Sequence, residues 1–234
     1  MLKFLQEYFF IEKKMENSSL FDIIGPIMIG PSSSHTAGAV RLGLVARNIY
    51  GLEPKKIKIN LYNSFSSTYK GHGTDKGLIG GILGLEVDNT DIKNSLEIAQ
   101  TKRISLEINH KEDPQRHPNS VDIIFDDELK IKGNSTGAGE IEIIQINAFK
   151  VSIIGNLPCL VMVYKDKPGM ISAVSKLIQE ENINIATFEC TRTGRGEDAS
   201  MVITLDAKPS DSIVQKIEEI PDVYFVRSIE GLKK

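Results

Sequence analysis

The chain has 234 residues, a formal charge of −3, 41% hydrophobic residues and 25% charged ones, which allows one large or two small domains with a real core. Mild acidity without a long Lys/Arg block excludes nucleic acid as the main partner. Only two cysteines occur, Cys159 and Cys190, far apart and without Cys or His at metal-ligand spacing; this excludes a disulfide framework and a cluster held by this chain's thiolates alone, and suits a reducing cytoplasm.

Residues 1–15 read as a peripheral extension. The apolar run Tyr8-Phe9-Phe10-Ile11 is too short to span a bilayer and lacks a cleavage site of small residues, so no membrane association is expected. Met15 is an alternative start. Leu42, Val45, Ala46 and Ile49 stand at helical spacing before Gly51 and predict a helix over Ala39–Ile49. Lys56–Tyr62 alternates as a strand, and Asp75–Leu83 and Asp91–Lys102 read as helices. The period then changes to two over Ile104–Ile108, Val121–Phe125, Leu129–Lys132 and Glu140–Ile146, with Asp126-Asp127-Glu128 as a hairpin turn. Helices followed by an antiparallel run predict an α+β domain over 16–147.

A linker is expected over 148–157, where the pattern resets. Beyond it, Leu160–Tyr164 reads as a strand and Lys167–Met170 as a turn into a helix reaching Glu181. Ile183–Arg192 and Ala199–Leu205 read as strands, Ser210–Ile220 as a helix capped by Ser210 or Asp211, and Val223–Ser228 as a strand. The order βαββαβ over 158–234 is that of a ferredoxin-like module.

Four polar stretches lie between these elements. Gly30-Pro31-Ser32-Ser33-Ser34-His35-Thr36-Ala37-Gly38 precedes the first helix. A helix start offers unpaired N–H groups and a positive dipole end. With serine hydroxyls added, this is either a seat for a small carboxylate beside an imidazole able to move a proton, or an N-cap carrying extra solvated hydroxyls. Gly71-His72-Gly73-Thr74-Asp75 leaves His72 unshielded, with Asp75 either orienting the ring or capping the next helix. His117-Pro118-Asn119 lies in a stiff loop before a strand, and Asn134–Gly139 is a glycine-rich turn without a phosphate-loop lysine. Three of the four histidines thus sit in Gly/Pro-bounded polar loops, which often hold sites.

GPSSSHTAGAVRLG, GHGTDKGLIGGILG and HPNS, in that order and with FDIIGPIM leading, closely resemble the beta chains of bacterial iron–sulfur-dependent L-serine dehydratases. Asp166-Lys167-Pro168-Gly169-Met170 with the elements after it is similar to an ACT domain. The resemblance covers about residues 16 to 232. It implies a first domain like the allosteric substrate-binding domain of phosphoglycerate dehydrogenases. It also implies a lyase turning L-serine into pyruvate and ammonia, with a 4Fe–4S cluster held by a separate alpha chain. Under that resemblance His35 and His72 are the catalytic candidates. Ser33, Ser34, Thr36, Thr74, Asp75, His117 and Asn119 are expected to contact substrate. Pro168, Gly169 and Met170 are the regulatory candidates in the ACT part, which either dimerises the chain or senses an amino acid or ion. Homodimerisation through either domain is expected. The competing reading is a non-catalytic amino-acid-sensing subunit, which needs a carboxylate seat but no exposed base. A Ser–His hydrolase finds no GxSxG elbow.

Overall fold

The computed structural model describes residues 27–232; the expected extension 1–15 and the alternative start at Met15 lie outside the described residues. The chain runs through a π-helical turn Ser33–Ala37, α1 (Gly38–Tyr50), β1 (Lys56–Tyr62), α2 (Asn63–His72), α3 (Thr74–Ile82), a 3-10 turn Thr90–Asn94 and α4 (Ser95–Thr101). Strands follow as β2 (Ser105–Lys111), β3 (Ser120–Phe125), β4 (Leu129–Gly137), β5 (Glu140–Ile146) and β6 (Phe149–Ile153). The C-terminal part is β7 (Cys159–Lys165), α5 (Met170–Glu180), β8 (Ile185–Arg192), β9 (Asp198–Leu205), α6 (Asp211–Glu218) and β10 (Val223–Ile229). This is an α+β architecture.

The first sheet has the order β2-β1-β3-β4-β5-β6. In β1, Ile57, Ile59 and Leu61 are fully buried and alternate with Lys56 and Lys58, so one face meets the helices and the other is polar. Leu42, Val45, Ala46 and Ile49 of α1 supply the matching apolar face, and Gly51 ends the helix in the left-handed region at φ 77°. The β3–β4 hairpin turns at Asp126 and Asp127, both at positive φ. The Asp126 carboxylate accepts the Tyr50 hydroxyl and the Lys56 N–H, tying the end of α1 to this hairpin.

Several expectations are corrected here. β2 pairs parallel with β1 rather than joining the antiparallel run, because the chain from β1 to β2 crosses over through α2, α3 and α4. Residues 148–157 are not a free linker: Phe149–Ile153 hydrogen-bonds β5 as the sheet's sixth strand. The helix expected over Asp91–Lys102 is a 3-10 turn followed by a short α-helix. Residues Asn63–His72, for which no element was expected, form a helix that Gly73 caps at φ 64°.

The second sheet has the order β10-β7-β9-β8, with antiparallel neighbours. Its Leu160, Met162, Met201 and Ile203 face α5 and α6, while Cys159, Val161, Val202 and Ile229 face the core of the first sheet. The two sheets therefore share buried surface.

Helices α1 and α3 cross at unusually short range. A Cβ added at Gly81 would stand 2.0 Å from the Val40 carbonyl, and one at Gly43 would stand 2.3 Å from that of Leu78. Gly81→Ala should therefore destabilise the chain by at least about 1–3 kcal/mol, as overpacking does. Gly71→Ala, in open space within α2, should leave stability unchanged or raise it by up to about 1 kcal/mol. Urea midpoints at constant m-value check both; equal effects at the two glycines would refute the close crossing.

Candidate active site

Ser32 is extended and its Oγ accepts the His35 backbone N–H at 3.1 Å, starting the π-turn. His35 thus lies inside the first helical turn, not in a loop before the helix. Its ring Nδ1 is 3.0 Å from Ser34 Oγ and 3.3 Å from Ser32 Oγ, and Nε2 is 2.9 Å from Ser64 Oγ. The Phe65 ring meets the imidazole edge-on at 5.5 Å, and the His72 ring lies 4.8 Å away.

The neighbouring stretches close around this ring. Thr36 is buried, and its hydroxyl donates to the His72 carbonyl at 2.7 Å. The Ser135 hydroxyl donates to the Ser34 carbonyl at 2.8 Å, and the Ser135 N–H donates to the Asn119 carbonyl at 3.0 Å. Asn63, at φ 50°, exchanges two hydrogen bonds with the backbone of Asp113, while the Phe65 N–H donates to the Pro118 carbonyl. Arg116 in that loop lies 3.7 Å over the Tyr62 ring and pairs at 2.7 Å with Asp122. Burial opposes a charge on Asp122, but Arg116 and Lys130 outweigh it and hold the carboxyl below its ordinary range.

Among the described residues, five buried side-chain atoms of these stretches have no partner: His72 Nδ1, Thr74 Oγ1, Asn119 Oδ1, Ser120 Oγ and Asn134 Oδ1. Buried polar groups are ordinarily paired, so these are free to meet a polar ligand. Burial, and then the charge of His72, push the His35 pKa below 6.5, leaving a neutral imidazole at pH 7.

His35, His72, Ser34, Thr36, Thr74 and Asn119 therefore belong to connected stretches of the fold, and Ser33 opens the same turn. Asp75 does not orient an imidazole; its carboxylate takes the Lys76 N–H at the start of α3. His117 is exposed, and its Nδ1 accepts the Asn119 N–H, which shapes the loop. In the C-terminal part, Pro168 and Gly169 are exposed before α5, whereas the Met170 side chain is 3% exposed within the core. Met170 thus offers a ligand only its backbone. Ser32, Ser64 and Ser135 were not among the expected site residues. The signal for Ser64 is its place just past the carboxyl end of a strand, in Asn63-Ser64-Phe65-Ser66-Ser67-Thr68.

The serine dehydratase beta chain family matches residues 19–149, and the ACT domain family matches residues 160–222. The chain belongs to the serine dehydratase beta chain family. It is 41% identical to a probable L-serine dehydratase beta chain of Bacillus subtilis over 92% of this chain and 99% of that one. It is 34% identical to the L-serine dehydratase beta chain of Peptoniphilus asaccharolyticus over 87% of this chain and 94% of that one. A D-3-phosphoglycerate dehydrogenase of B. subtilis is 26% identical over 66% of this chain and 30% of that protein.

The geometry sets the direction of one titration. By NMR, the His35 ring should titrate with a midpoint below 6.5, and His72→Gln should move it upward by removing the opposing charge. A midpoint that ignores His72 would contradict the pairing of the two rings.

Proposed function

We propose that this chain is the beta subunit of an L-serine dehydratase, a lyase that converts L-serine to pyruvate and ammonia together with an alpha chain. The observation that carries this reading is the His35 imidazole, set among the hydroxyls of Ser32, Ser34 and Ser64 and against the His72 ring, in connected stretches that also carry the unpartnered Thr74 Oγ1, Asn119 Oδ1 and His72 Nδ1. An α-amino acid needs donors for its carboxylate, acceptors for its ammonium and a base for its Cα proton. All three kinds of group stand together here.

This chain's residues do not fit a cluster-ligating role. The Cys159 thiol is buried and pushed up to about 12 by that burial, and the Cys190 thiol is also raised by burial, beside the Tyr164 hydroxyl at 3.6 Å. Among the described residues no group of three or more His, Cys, Asp or Glu could hold a metal ion. A 4Fe–4S cluster therefore belongs to the alpha chain in this proposal, where it supplies Lewis-acid help to the departing hydroxyl.

The beta chain binds, orients and moves a proton. Ser33, Ser34 and Thr74 offer hydroxyls to the carboxylate, Asn119 Oδ1 offers an acceptor to the ammonium, and Thr36, whose hydroxyl donates to the His72 carbonyl, holds the two histidine stretches together. His35 takes the Cα proton, which a neutral imidazole can do at cellular pH. Loss of water gives aminoacrylate, which tautomerises to the imine and hydrolyses to pyruvate and ammonia. His72 lies beside the base and tunes its charge. The ACT domain stands outside this chemistry, as a dimerisation module or as an amino-acid sensor at Pro168 and Gly169.

Anaerobic co-purification with a cysteine-rich alpha chain should give a complex that releases pyruvate from L-serine only when both chains are present. In that complex His35→Ala should lower turnover by about 10²–10⁴-fold with an unchanged thermal midpoint. Activity within a few-fold of wild type would remove His35 from the mechanism. Serine binding without any pyruvate from the complete complex would favour the sensing role.

A further inference from the structure

A neutral imidazole has one N–H and one lone pair, so its neighbours decide which nitrogen is basic. Around His35 they are unequal. Ser32 Oγ already accepts the His35 backbone N–H and lies 3.4 Å from Ser34 Oγ, so its own proton can go to Nδ1 or to Ser34. It and Ser34 Oγ both stand at Nδ1, at 3.3 and 3.0 Å. Nε2 faces a hydroxyl from a different element, Ser64 Oγ at 2.9 Å.

Ser64 is held where it is by three features. Asn63 takes φ 50°, an uncommon backbone region for a residue other than glycine. Its side chain exchanges hydrogen bonds of 2.9 and 2.8 Å with Asp113, so the loop after β2 stabilises that turn. The Ser64 carbonyl then accepts the Thr68 hydroxyl at 2.7 Å within α2. Phe65, fully buried, anchors the same turn in the core and contacts the ring edge.

We infer that Ser64 is a positioning residue that accepts the Nε2–H of His35, fixing the tautomer in which Nδ1 takes the substrate proton. The inference rests on His35 being the base of the proposed reaction. When the substrate carboxylate draws the Ser34 and Ser32 hydroxyls away, the Nδ1 lone pair is released. The Cα–H bond breaks and its proton forms Nδ1–H. The electron pair moves into the Cα–Cβ double bond as the β-hydroxyl departs, and the proton is returned to that hydroxide as water. Through the step Nε2–H stays on Ser64. A base oriented by a third group is the general logic of catalytic dyads and triads. A hydroxyl in the orienting position adds no negative charge, so the resting ring stays neutral.

The test uses full-length chain with ¹⁵N-labelled histidine, and the complex with the alpha chain. At pH 7.5 the ¹⁵N shifts of wild-type His35 should show the Nε2–H tautomer. Ser64→Ala should give a mixture of tautomers, and Ser64→Thr should restore the wild-type pattern. In the complex, Ser64→Ala should lower kcat by about 10²-fold, the scale of a misplaced catalytic group, with KM changed less than kcat and Thr restoring the rate. An Nδ1–H tautomer in the wild-type chain overturns the inference even if Ser64→Ala fails to fold. So does a folded Ser64→Ala with wild-type shifts and kcat. A wild-type complex that makes no pyruvate would instead sink the dehydratase reading and leave the tautomer result standing.

Discussion

The candidate site depends on how closely α1 and α3 approach. Gly43, Gly77 and Gly81 leave no room for a side chain at the crossing, and a Cβ at Gly77 would stand 2.9 Å from the Thr36 carbonyl. Helices separated by ordinary side chains keep their axes about 8–10 Å apart. Here backbone meets backbone, so the π-turn that opens α1 is brought against the Gly73–Thr74 junction that opens α3. The Thr36 hydroxyl can then reach the His72 carbonyl, and the two imidazoles come to 4.8 Å. Chemistry-bearing residues 37 positions apart are thus fixed by an apolar packing choice made one turn deeper in the helices.

Much of this was legible in the residues. Lys56–Tyr62 and Glu140–Ile146 open with buried apolar residues at every second position, Ile57 and Ile59 in one and Ile141 and Ile143 in the other, and their observed bounds match the predicted ones. The βαββαβ order of the C-terminal part was readable for the same reason. α2 was not: Ser66, Ser67, Thr68 and Gly71 are weak helix formers, and Phe65 is its one fully buried anchor, so tertiary contacts with the 113–119 loop hold it. β6 escaped notice because it is short and joins β5 through an irregular register. The parallel pairing of β1 with β2 depends on a crossover that local periodicity cannot encode. The histidine loops announced themselves through their glycines and prolines, whereas Ser64 lies 29 residues from its partner and only the fold joins them.

The shared core adds a second constraint. α1 begins at the site and ends at Gly51, where Arg227 of β10 lies so close that a Cβ would stand 2.5 Å from its Nε. One rigid helix therefore touches both the imidazole cluster and the edge strand of the second sheet. Cys159, Val161, Val202 and Ile229 deepen that contact by joining the first core. The ACT domain is consequently built into the same packed body as the site, and its sheet has one face committed to holding the first sheet in place.

Two imidazoles at this separation constrain the proton count of the site. Two unit charges about 5 Å apart repel by roughly 3 kcal/mol at an effective dielectric near 20, and less where water reaches the rim. The doubly protonated pair is disfavoured accordingly, in the same direction as the lowered His35 pKa. A site that resists a second proton can still hold the one that His35 takes from Cα. Among the described residues, the side chains in contact with the His35 ring are hydroxyls and rings rather than carboxylates, so none of them pulls it toward a permanently charged state. An acidic neighbour would have stabilised imidazolium and left less of the ring in its proton-accepting form at rest; the serine-rich turn avoids that while still fixing the ring. The density of hydroxyls around His35 thereby has a physical reason: it orients a base without charging it.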